Sequence, residues 1–225
     1  MGQAIGQMLP FAIGIAISPI PIVAIVLMLG TRNAKSDSLA FLVGWLGAMA
    51  LAGVILLAIA GSADVTENGA PSDSSSTLKV VLGVVLLGLA VKQWRKRPAP
   101  GEEPEMPKWM DAIEEFTPVK SAGLGVLVSV VNPKNLILMV GGATAIAQTE
   151  VSGADQAIAW IIFMVIATIG VAAPIVIYFA MGDKAAGILA DLKAWMAHHN
   201  AAIMAVILVI IGVKLIGDSI SGFSA

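Results

Sequence analysis

Cysteine is absent from the 225-residue chain. That absence excludes disulfide frameworks, thiol redox relays, thiolate metal sites and cysteine nucleophiles. Charge is scarce too: Asp, Glu, Lys and Arg make up 12% of residues, against about 25% in a soluble domain. The net charge of -2 gives no basic surface for nucleic acid. The long apolar runs contain no His, Asp or Glu for acid–base chemistry, and no nucleotide-binding motif appears anywhere. The expectation is therefore a non-enzyme with no cofactor. His198 and His199 are adjacent on a polar stretch and would point to opposite sides of a helix, so they read as solvated and not as metal ligands.

What the chain does have is apolar length. It is 58% hydrophobic with a mean hydropathy of +0.91. Six uncharged or nearly uncharged runs approach the ~20 residues a helix needs to cross about 30 Å of hydrocarbon. They cover residues 4–30, 39–60, 77–94, 121–147, 156–181 and 201–216. None shows the two-residue alternation of a barrel strand, so the fold class is an all-α membrane protein of six transmembrane helices. The start of the chain lacks a basic n-region and an A-x-A cleavage site, so the first run reads as a retained helix.

The polar connections orient it. Arg32, Lys35, Lys92, Arg95, Lys96, Arg97, Lys108, Lys120, Lys184 and Lys193 follow runs one, three and five, whereas the other loops are acidic and small. The positive-inside rule makes the basic side cytoplasmic and both termini extracytoplasmic, in a cytoplasmic membrane. Residues 98–120 form a cytoplasmic linker between two three-helix halves, 1–97 and 121–225. Its stretch "PKWMDAIEEF" predicts a short helix starting at Pro107 with Trp109, Ile113 and Phe116 on one face. That helix lies in the headgroup region or packs on the loops. "GILADLKAWMAHHN", with Ile188, Leu192 and Trp195 aligned, has the same character.

The halves repeat. "SPIP" in the first run matches "NPKN" in the fourth; Trp45 and Trp160 stand near the start of the following run; Gly88 and Gly212 fall late in the third of each half. Three spans per half require the second half to be inverted. Inverted repeats with broken helices at matching places point to a transporter whose site lies at the repeat interface. Pro19, Pro21 and Pro133 lack the N–H that a helix needs, and their freed carbonyls must line a cavity or be buried in protein. Ser18, Asn132 and Asn135 supply polar groups there. Lys134 places a full charge in a span, at a cost of about 2.5–3.5 kcal/mol on insertion scales. With no carboxylate in any span, it must meet freed carbonyls, water or an external anion, be held neutral, or act only as a cap on a broken half-helix.

"SPIPIVAIVLMLGTRNAKSDSLAFLVGWLGAM" resembles the first hairpin of the LysE exporter superfamily, and "NPKN" its second-half Asn-Pro-Lys element. "PKWMDAIEEFTPVKSAGLGVLVSVVNPKNLIL" and "LKAWMAHHNAAIMAVILVIIGVKLIGDSI" are similar to the Sap/GAP group within it. The resemblance implies a LysE-like fold and a role in moving sulfolipid or glycopeptidolipid to the cell surface. The first break reads Ser-Pro-Ile-Pro where amino-acid exporters have Pro-Gly-Pro, which weighs against an amino-acid substrate. The expectation is an exporter of an amphipathic or lipid-like cell-envelope molecule, with Lys134, Asn132, Asn135 and Ser18 at its polar head. Pro19, Pro21 and Pro133 would shape the cavity. The expected partners are membrane lipids, the substrate, a lipid-export machine and a second copy in a homodimer. The alternatives are a small-molecule exporter of LysE type and an accessory scaffold of a lipid-export complex.

Overall fold

Pro19 and Pro133 begin new helices, whereas Pro10 and Pro174 lie inside continuous ones. Ser18 and Asn132 precede Pro19 and Pro133 with extended backbones, at ψ 113° and ψ 115°. A residue before proline is pushed toward that conformation and proline suits a first helical position, so a new helix starts at each proline; Asn132 caps its helix with its side chain, whereas Ser18 does not. Pro10 and Pro174 follow Leu9 and Ala173, which have no capping group, and both lie inside continuous helices.

The computed structural model describes residues 1–63, 73–97, 108–149 and 151–223. Its helices are α1 (Gly2–Ala16), α2 (Pro19–Leu29), α3 (Ala34–Ala63), α4 (Asp73–Arg95), α5 (Pro118–Val126), α6 (Pro133–Ala147), α7 (Gly153–Met181) and α8 (Ala185–Phe223). A 3-10 segment (Lys108–Glu115) precedes α5, and a π-turn (Leu127–Val131) joins α5 to α6. The chain bends by 48° between α1 and α2 and by 61° at the second break.

Three single helices and the two bent pairs are long and apolar enough to cross a membrane, by length and composition. Their outer faces remain apolar: Val54 is 69% exposed and Val165 61%. A soluble protein would bury such a belt; lipid leaves no reason to. This is a membrane protein. The expected third crossing forms α4, but among the described residues it does not meet the same measure. The other crossings are longer than expected. The amphipathic stretch and the last run form one helix, α8, whose 39 residues extend about 58 Å.

α4 lies along α8, α3 along α5, and α1 against α6 and α7. Gly212 meets Gly83: a Cβ on Gly83 would sit 2.9 Å from the Gly212 carbonyl oxygen. Gly44 likewise faces the backbone of Ala122 on α5, so these small residues serve contacts within one chain. Trp45 Nε1 donates to Thr168 Oγ1 at 3.2 Å, from α3 to α7. In return, Trp160 Nε1 donates to the Met49 carbonyl at 3.1 Å, its indole filling the space that Gly53 leaves. The two indoles are related by one offset, since 160 − 45 and 168 − 53 are both 115.

The segment before α5 is a 3-10 helix that packs on α2. Ile113 is buried and Phe116 half-buried, as the predicted face requires, and Met110 joins them in the core. Pro107 and the side chain of Trp109 lie outside what the structure describes.

Candidate functional site

The two helix breaks meet, and each repairs part of the other. At the first, the Ser18 N–H turns back to the Ile15 carbonyl at 3.1 Å instead of reaching Gly14. The Gly14 carbonyl is left without its helical donor. Lys134 Nζ supplies one from the other half of the chain, at 2.8 Å.

At the second break the helix loosens before it ends. The Asn132 N–H bonds the Leu127 carbonyl at 3.2 Å, five residues back, which is π-helical spacing. In that spacing the Val128 carbonyl would pair with residue 133, a proline with nothing to donate. Asn135 Nδ2 takes its place at 2.9 Å. Asn132 Oδ1 caps the new helix by accepting from the Lys134 N–H at 3.1 Å.

A hydroxyl joins the halves. Ser18 Oγ donates to Asn135 Oδ1 at 3.3 Å and accepts a short hydrogen bond from Lys134 Nζ. Met204 Sδ, from α8, lies 3.6 Å from the same ammonium. Lys134 is only 5% exposed, and Ser18 and Asn135 are buried with it. Among the described residues no carboxylate lies within salt-bridge distance of Lys134.

Lys134, Asn135 and Ser18 thus form one buried cluster, with Asn132 half-buried beside it. Pro19 and Pro21 are buried and Pro133 is exposed. Pro21 makes no break of its own; it sits in the first turn of α2, where N–H groups lack helical partners anyway. Gly14 and Met204 are the partners that sequence reasoning missed. One acts through its backbone and the other is a methionine among many apolar residues, so neither carries a sequence signal.

α2 and α6 both begin at this junction with their positive ends, while α1 finishes there with its negative end. Lys134 stands in the first turn of α6, where its charge is unfavourable, and reaches the carbonyl end of α1, where it is favourable. A desolvated cation and two helix N-termini suit an anionic group. All three ammonium donors are engaged, so an anion must displace Ser18 Oγ or Met204 Sδ to reach Nζ.

Compared with known proteins, the chain matches the family model described as "Sap, sulfolipid-1-addressing protein" over residues 8–221. No curated protein and no solved structure matches it.

Proposed function

The chain belongs to the family of Sap, sulfolipid-1-addressing proteins, and on that premise we propose that it exports an amphipathic, lipid-like cell-envelope molecule across the cytoplasmic membrane. The observation that carries this reading is Lys134. A buried, carboxylate-free cation inside a membrane segment marks a functional site by default, because insertion alone costs about 2.5–3.5 kcal/mol. The family's description names a sulfolipid, and a sulfate head is the kind of anion that Lys134 and the two helix N-termini would hold. Asn132, Asn135 and Ser18 would complete the head-group contacts.

The transport cycle in this reading is alternating access, with six spans arranged as two inverted, LysE-like halves. Matching bends at Pro19 and Pro133 and the reciprocal Trp45 and Trp160 contacts support that symmetry. Rocking one half against the other would part Lys134 from Gly14 and Ser18, which belong to the opposite half, and free its donors for the cargo. Reporter fusions after Gly69 and after Arg97 should then report opposite sides of the membrane, with the Arg97 fusion inside. Both on one side would remove the inverted arrangement.

One observation favours a second reading, a scaffold within a lipid-export complex: every donor of Lys134 is already satisfied inside the protein. Comparing surface lipids of cells with and without the protein, alongside intracellular lipids, separates the two. Export predicts one anionic amphipath lost from the surface and accumulated within, restored by wild type and not by Lys134→Met. Full restoration by Lys134→Met supports the scaffold and sinks the exporter reading.

A further inference from the structure

A second place, with no residue in common with the Lys134 cluster, has the shape of a binding site. A cavity of about 890 Å³ opens where α2 and α7 end and α3 and α8 begin. That volume lies within the roughly 300–1,000 Å³ of small-molecule sites. One wall is apolar, built from Val26 and Leu29 of α2 and Leu189 of α8. Ile113 of the 3-10 segment closes the cavity from another side, its own side chain buried.

The polar part of the lining carries two cations, with Thr31 and Tyr178 beside them. Lys35 and Lys193 both line the cavity, and among the described residues Glu114 is the one carboxylate in the lining. Among the described residues, neither lysine lies within salt-bridge distance of Glu114 or of any other carboxylate. Lys193 is half-buried, and Lys35 leans over the Phe179 ring, 5.9 Å from its centroid. Two ammonium groups with no carboxylate partner among the described residues, beside a greasy wall, fit one chemistry.

We propose that this cavity binds an anionic amphipath, its phosphate-, sulfate- or carboxylate-bearing head on Lys35 and Lys193 and its chain along α2 and α8. The site stands about 16 Å from the Lys134 junction, the length of the eleven residues of α2. It does not depend on the export reading, because its test measures occupancy and not transport.

The test uses the full chain in phosphatidylcholine nanodiscs containing a little phosphatidic acid with a photoactivatable acyl chain. Photolabel is expected on peptides of α2 and the start of α8, well above that from matching photoactivatable phosphatidylcholine. The double variant Lys35→Gln with Lys193→Gln should lower labelling about tenfold, the change expected from losing roughly 1.4 kcal/mol of head-group attraction. Arg at both positions should retain it. Lys184→Gln, an exposed lysine outside the cavity lining, should leave it unchanged. Melting temperatures confirm that each variant is folded. Equal labelling by the two lipids, or labelling indifferent to the double Gln change, overturns the site and leaves only lipid coating the apolar surface. Calorimetry separates the lipid from its head: soluble dihexanoyl phosphatidic acid should bind at least about tenfold more tightly than inorganic phosphate. Equal affinity would make this a small-anion site and end the proposal.

Discussion

Lys134→Met should lower export per folded molecule roughly tenfold to a hundredfold while leaving the melting temperature near that of wild type. The first expectation follows from losing one charge-assisted hydrogen bond to the cargo's head, worth about 1.5–3 kcal/mol. The second follows from two opposed effects. Removing the ammonium strands the Gly14 carbonyl, at about 1–3 kcal/mol for a buried group left unsatisfied. It also removes the cost of placing a charge in the span, about 2.5–3.5 kcal/mol. Met is one heavy atom shorter than Lys, and its flexible thioether suits the space beside Met204. Lys134→Arg should recover only part of the activity, because a planar guanidinium is larger and cannot hold Gly14 and Ser18 in the same geometry. Differential scanning fluorimetry and an export assay on the same preparations check both. A Met variant that melts far lower yet exports at the full rate per folded molecule would show that Lys134 only caps α1.

Gly170→Val should abolish accumulation of folded protein, and Gly170→Ala should cost several degrees of melting temperature or more. A Cβ on Gly170 would overlap the carbonyl oxygen of Ala16, in the last turn of α1 just before the first break. The obstacle is backbone, so no rotamer change relieves it. Overpacking costs about 1–3 kcal/mol where side chains can adjust, and rigid contacts fall at the upper end or beyond. Parting α7 from α1 would also disturb the Gly14 carbonyl that Lys134 reaches. The same chemical change elsewhere should do the opposite. Nothing lies within 4 Å of a Cβ on Gly47 or Gly88, both within helices. Ala at either should stabilise by about 0.5–1 kcal/mol through helix propensity. Size-exclusion yield and thermal midpoint of the three Ala variants provide the check. If Gly170→Ala behaves like Gly47→Ala, the close approach of α1 and α7 is not what holds the break.

The apolar runs alone determined that the chain is helical and belongs in a membrane. Ser18-Pro19 and Asn132-Pro133 determined where two helices must break, because a capping residue followed by proline is a local instruction. Lys134 was legible as the residue to explain, since no carboxylate shares its span. The extents of the helices were less legible. α8 runs through what reads as a separate surface segment, because nothing in residues 185–200 breaks a helix once the chain beyond it is helical.

What resolves the charge of Lys134 could not be read along the chain at all. The Gly14 carbonyl is free only because the Ser18 N–H turns to Ile15, and it lies 120 residues away in sequence. The cavity between α2 and α8 is likewise invisible in sequence, where Lys35 and Lys193 are two loop cations among several. Local chemistry specifies where backbone groups lose their partners. Only the packing of one half against the other decides which distant group replaces them, since that depends on distances between helices and not on spacing within one.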